Sequence, residues 1–222
     1  MKHQRSIAVR DILRLKVAIL ERDLHTIKHI CNFNTELNLH VENGILIAYA
    51  ACGGDVNIFH YFHQRHVPID TTNVAPLHVF GESLLCSRSP LFVAVQYGRI
   101  ELLHYLLDIN ITDIHVDPAI AIEFRKTLTN AMIVACNYSQ FDAFDYLLTI
   151  SQSTNSNHLT PAFYTALACI CVKNRNCALV SYLISRGADV YECIYKSIDE
   201  HFLDVAVRIL SDHQVNISFD SY

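Results

Sequence analysis

Ser89-Pro90-Leu91-Phe92-Val93-Ala94-Val95-Gln96-Tyr97-Gly98-Arg99-Ile100-Glu101-Leu102-Leu103-His104-Tyr105-Leu106-Leu107 reads as one helix, a turn and a second helix. Pro90 suits the first turn of a helix, where no intrahelical partner waits for an N–H. Leu91, Ala94 and Val95 follow at helical spacing. Gly98 ends the first helix, because a residue without Cβ enters the left-handed turn freely. Leu102, Leu103, Leu106 and Leu107 then make the apolar stripe of a second helix. Small Ala94 lets the two helices approach closely.

The same grammar recurs along the chain. Ile47-Ala48-Tyr49-Ala50-Ala51-Cys52-Gly53-Gly54-Asp55 leads to Ile58, Phe59 and Phe62. Asn130 to Cys136 leads through Ser139 to Ala143, Phe144, Leu147 and Leu148. Ala168 to Val172 leads through Asn174-Arg175-Asn176 to Leu179, Val180, Leu183 and Ile184, then to Gly187-Ala188-Asp189-Val190. Fainter units run from Leu15 to Cys31 and from Ile194 to Leu210. Their higher charge suits end caps with one watery face.

These units resemble the ankyrin repeat family, from about Leu13 to Leu210. Ser89-Pro90-Leu91-Phe92-Val93-Ala94 stands near the family's Thr-Pro-Leu-His-x-Ala opening, and Gly187 to Val190 near its Gly-Ala-Asp-Val ending. The resemblance implies an all-α fold, a solenoid of about five to six helix-turn-helix units with irregular long loops between repeats. One repeat domain would fill 1–222, in units at 13–34, 44–70, 89–112, 129–150, 161–190 and 191–212. The array is diverged. The equivalent residues Ile30, Phe62, Leu106, Leu147, Leu183 and Ile209 are 32, 44, 41, 36 and 26 positions apart, against a regular period of about 33. The surplus falls in Asp70–Arg88, Ile109–Thr127 and Ser151–Thr160. A HEAT-type array is the rival, but helices of about 8 to 10 residues ended by Gly or polar clusters favour ankyrin.

Composition narrows the partner. Lys and Arg total 17 against 22 Asp and Glu, a formal charge of −5 with no long run of one sign. A generic nucleic-acid binder should be basic, so that class is set aside. No uninterrupted apolar stretch suits a signal peptide or membrane span: Ile7 to Leu20 is broken by Arg10, Asp11, Arg14 and Lys16. The eight Cys then read as reduced thiols of a cytoplasmic protein, with Cys136, Cys169, Cys171 and Cys177 inside helical apolar patterns.

Stacked repeats of this kind bind a partner through their extended concave face, here with the inserted loops. By resemblance, the contacts lie on the outward side of each first helix and on the loop tips. Those positions are Tyr49, Cys52 and Asp55; Val93, Gln96, Tyr97 and Arg99; Asn137, Tyr138 and Gln140; and Lys173, Asn174 and Asn176. Tyr97 and Tyr138 hold matching places in their repeats, and tyrosine anchors interfaces with few rotamers to freeze. The Asp70–Arg88 segment, with Val74, Leu77, Phe80 and Leu84, is too apolar for a solvated linker. It reads either as a second docking element or as an extra strand pair or short helix. Ile114 to Phe124 poses the same choice, with Pro118 opening an amphipathic stretch.

Catalytic, metal and cofactor residues are not expected. His60, His63 and His66 recur every three residues but share one face poorly, and no Cys-x-x-Cys accompanies them. Cys169 and Cys171 are misaligned as a ligand or redox pair. Cys86 with His78 is the one pair worth testing for a cysteine hydrolase, and six glycines leave little material for a phosphate loop. The expectation is a non-catalytic module that binds another protein, with no membrane and no small-molecule substrate. The alternative is a cysteine-dependent hydrolase or transferase built from the long loops. In style, the array is similar to those that intracellular bacteria and large DNA viruses direct at host proteins, which would place it in a host cytosol.

Overall fold

A computed structural model of the chain describes residues 2–34, 37–39, 45–67, 77–79, 82–84, 89–114, 118–153 and 159–213. Its helices fall into six consecutive pairs: α1 (Lys2–Leu20) with α2 (Leu24–Phe33), α3 (Ile45–Gly53) with α4 (Val56–Gln64), α5 (Pro90–Gln96) with α6 (Ile100–Ile114), α7 (Pro118–Asn137) with α8 (Phe141–Ser153), α9 (Pro161–Lys173) with α10 (Cys177–Ser185), and α11 (Val190–Asp199) with α12 (Leu203–Asp212). Between α4 and α5 stand two short strands, β1 (Leu77–Val79) and β2 (Glu82–Leu84), paired antiparallel with His78 opposite Ser83. The chain is otherwise an all-α repeat fold among the described residues.

It divides into two compact units, Met1–Val116 and Asp117–Tyr222. In the first, α1, α3 and α5 pack in a row, each also against its own second helix, and α4 packs on α6. In the second, α7, α9 and α11 form the row, and α10 packs on α12.

One backbone device builds all six hairpins. Arg22, Gly54, Gly98, Ser139, Arg175 and His201 each sit between the helices of a pair with φ between 55 and 77. After five of these residues, the next N–H reaches back to close the first helix: Asp23 N–H to Ala18 O (2.9 Å), Arg99 to Ala94 (2.8 Å), Gln140 to Ala135 (2.9 Å), Asn176 to Cys171 (2.9 Å) and Phe202 to Ser197 (2.7 Å). This is the six-to-one closure of a helix C-terminus. The residue that follows the left-handed one can then cap the second helix. Asp23 accepts from Thr26 N, Asp55 from Asn57 N and Ile58 N, and Asn176 from Leu179 N. Helix end and helix start thus share about two residues, which keeps each pair antiparallel and tight.

The turn also sets the core register. The residue eight positions beyond it is buried in every pair: Ile30 after Arg22, Phe62 after Gly54, Leu106 after Gly98, Leu147 after Ser139, Leu183 after Arg175 and Ile209 after His201. Small residues of the first helices, among them Ala51, Ala94, Ala131 and Ala168, have no exposed surface.

Two expectations need correction. Much of Ile109–Thr127 is not an irregular loop: α6 runs on to Ile114 and α7 begins at Pro118. Pro118 starts that helix as a first-turn proline should, and no Gly or Pro interrupts the sequence from Ala119 to Asn137, so the helix propagates. The terminal helices, expected to be watery caps, carry charge but also expose Val9, Leu13 and Val17 on α1 and Tyr191, Tyr195, Leu203 and Val207 on α11 and α12. In the Asp70–Arg88 segment, the strand pair is the element present among the described residues.

Candidate functional site

The hairpin turns are the parts of each unit that project side chains without a helix to cover them. In the second unit Asn137 ends α7 and Tyr138 opens the turn after it, and Lys173 ends α9 and Asn174 opens the next, all four exposed. Asn174 Nδ2 donates to the carbonyl of Cys136 at 3.2 Å, so each turn is fixed to its predecessor. Lys173 continues the row by pairing with Glu200 at 3.8 Å in the turn after α11. Arg175 donates to Asp204 at 2.7 Å and lies over the Phe202 ring. That hydrogen bond holds the Asp204 carboxyl below its usual range, and Lys196 does the same for Glu200. The result is a polar strip of three registered turns, rigid at the backbone and open at the side chains.

The first unit uses the same device once. Arg99 Nε donates to the carbonyl of Cys52 at 2.9 Å, and its side chain lies where a Cβ on Gly54 would fall, 2.5 Å from Cδ. Arg99 is therefore a structural link between adjacent turns, half-buried with Tyr97 beside it.

Four of the expected contact residues are not on a surface. Tyr49, Cys52, Val93 and Gln96 are buried, Val93 completely. The cause is that α3 and α5 are first helices flanked by neighbours: α3 lies between α1 and α5, and all nine of its residues are buried. A helix enclosed on several sides is apolar all round and has no outward face to offer. The signal was in the sequence, since Ile45 to Gly53 contains no charged residue. Asp55 and Asn176 are half-buried N-caps and Gln140 is half-buried at the start of α8. Asn137, Tyr138, Lys173 and Asn174 are the expected residues with the most open placement.

The histidine series resolves differently from its linear spacing. His60 Nδ1 lies 2.7 Å from the Tyr105 hydroxyl and His63 Nδ1 3.4 Å from the same atom, so both rings meet on α6. His66 stands apart in the turn after α4, at φ 58. Among the described residues no group of three or more His, Cys, Asp or Glu could hold a metal ion.

Five of the seven described thiols are poor nucleophiles. Burial pushes Cys31, Cys52 and Cys169 up, and Cys193 up to about 12. Cys171 is raised by its hydrogen bond with Cys136 and by burial. A thiol held above neutrality stays protonated and reacts slowly. Cys86 lies outside the described residues, as do the side-chain contacts of His78.

A sequence family matches part of this row of helix pairs. Residues 91–194 match three copies of the ankyrin repeat model. The chain carries ankyrin repeats. The match spans α5 to the middle of α11, and α1–α4 lie before it. A search of curated proteins gives no match. Ankyrin repeats generally mediate protein–protein interaction and ankyrin repeat proteins are typically non-catalytic. No helix among the described residues is long and apolar enough to cross a membrane.

Proposed function

We propose that this ankyrin repeat protein is a recognition module that binds a partner protein through the row of turns in its second unit. Tyr138 is the anchor, with Asn137, Gln140, Lys173, Asn174 and Asn176 around it; Asp55, Tyr97 and Arg99 extend the same kind of surface on the first unit. The observation that carries the reading is the registered strip itself. Tyr138 is 40% exposed beside side chains whose backbones are tied turn to turn by the Asn174–Cys136 hydrogen bond. A rigid backbone presenting a tyrosine and amide groups loses little conformational freedom on binding. The net charge of −5 favours a protein partner over a nucleic acid. The free thiols of the described cysteines fit a reducing compartment such as the cytosol.

The test compares the intact protein with Tyr138→Ala/Lys173→Ala in capture from cytosol, beside Cys86→Ala. Both variants should melt as the parent does. The reading expects the double variant to lose its specific partner at least tenfold and the thiol variant to keep it. Equal capture by the double variant refutes the assignment. Loss of a cellular activity in Cys86→Ala with capture intact would support the cysteine-dependent enzyme instead.

A further inference from the structure

Nine of the twelve exposed large apolar residues among the described ones lie on two faces, one at each terminal helix pair. On α1 and α2 they are Val9, Leu13, Val17 and Phe33; on α11 and α12 they are Tyr191, Tyr195, Ile198, Leu203 and Val207. Phe33 is 88% exposed and Tyr195 71%. Scattered apolar residues need no explanation, but contiguous patches mark contact sites.

Positional equivalence says what each face is shaped for. Tyr191, Tyr195 and Ile198 precede the turn residue His201 as Thr165, Cys169 and Val172 precede Arg175. In α9 those three positions receive the next repeat: Thr165 Oγ1 accepts from Asp189 N at 2.8 Å, Cys169 lies within the electrostatic reach of Glu192 and Lys196, and Val172 is fully buried. On α12, Leu203 and Val207 hold the places of Cys177 and Ser181 of α10, and Ser181 bonds Asp212 of α12 at 3.2 Å. The α11–α12 face is thus built to receive a following helix pair.

The other face is the complement. Leu13 and Val17 precede Arg22 as Glu192 and Lys196 precede His201, and Glu192 and Lys196 are the residues of α11 that lie towards α9. Beside Phe33, between α1 and α2, runs a groove of about 470 Å³ lined by Arg10, Asp11, Arg14 and His29. Charge agrees with shape. Arg10 flanks the apolar stripe of α1, whereas Glu192 flanks that of α11, by the 3.6-residue period of each helix; Arg14 is paired with Asp11 at 3.7 Å and Asp199 with Lys196 at 3.2 Å.

We infer that the α11–α12 face of one molecule docks on the α1–α2 face of a second copy, continuing the repeat stack head to tail. A two-fold pairing of the α11–α12 faces would instead set Glu192 against itself. Head-to-tail contacts are heterologous, so each added copy leaves a free face at either end. Opposite charges beside the seam make the association sensitive to salt.

Sedimentation velocity on the full chain tests this, with Tyr195→Glu blocking one face and Leu13→Glu the other. Both side chains are more than half exposed, so both variants should keep the parent's melting temperature. The average mass of the parent should rise at least about twofold with concentration, and fall back as salt is added. Each variant alone should remain a monomer. An equimolar mixture should form a one-to-one dimer and stop, because one good face of each kind remains. A parent that stays monomeric at its solubility limit overturns the inference and means that another segment or another protein takes the faces. Dimers of Leu13→Glu alone overturn it in favour of the two-fold pairing, and so does a mixture that fails to dimerise.

Discussion

The pairs α3–α4 and α11–α12 share one backbone plan and differ in nearly everything their side chains meet. In α3 all nine residues are buried, and Gly53 comes so near α1 that a Cβ there would sit 3.0 Å from the Ile19 carbonyl oxygen. In α11 the buried residues are Cys193, Ile194 and Ser197, while three apolar residues on the far side meet solvent. A repeat's place in its row therefore decides which first-helix positions belong to the core. The left-handed turn residue and the buried position eight residues beyond it persist in both. Repeat identity lies in the hairpin, and burial lies in its neighbours.

Matched core truncations should break this comparison most. Phe62→Ala, enclosed in the interior pair, is expected to cost about 3–5 kcal/mol, against the lower half of about 2–5 kcal/mol for Ile209→Ala in the end pair. Denaturant melts decide, and a costlier Ile209 change would mean that the end pair is better packed than its exposure suggests. Gly54→Ala should cost about 1–3 kcal/mol, from left-handed backbone at φ 77 and displacement of Arg99. Ser139→Gly is the converse: φ 57 is relieved at an exposed turn, so a gain of up to about 1 kcal/mol is expected.

The smallest effect is electrostatic and belongs to the first and last pairs. The Arg175 hydrogen bond lowers the Asp204 carboxyl, Thr26 lowers Asp23 and Lys196 lowers Glu200. Folded values below unfolded ones mean that the unfolded chain binds more protons in this range. The stabilisation is present above about pH 4 and lost as pH falls through the folded values. Melting temperature should drop between about pH 5 and 3, less steeply in Asp204→Asn. An identical slope in the variant would remove Asp204 from the account.

The sequence made the hairpins legible where glycine marks the turn. Gly98 announces its left-handed position, and Leu106 follows in register. Arg22, Ser139, Arg175 and His201 adopt the same conformation without that marker, because closure bonds on both sides hold an unfavourable φ that their types do not advertise. The exposure of the expected contact residues was half legible. Tyr138 and Lys173 lie in the open, but Val93 and Gln96 were assigned outward by a rule for first helices with a free side, and α5 packs against both α3 and α6. The length of α6 and α7 was missed because the loop reading assumed regular repeat helices. The pairing of His60 with Tyr105 joins residues 45 positions apart, which linear spacing does not reveal.

The side-chain donors that join successive turns also set an order of opening. Arg99 is hydrogen-bonded to the carbonyl of Cys52 and Asn174 to that of Cys136, so a hairpin that opens takes its donor away from the one before it. In the second unit, α11–α12 leans on α9 and α10. Its amides should exchange with deuterium before those of α9 and α10, because nearest-neighbour coupling makes the outer hairpin the first to fray.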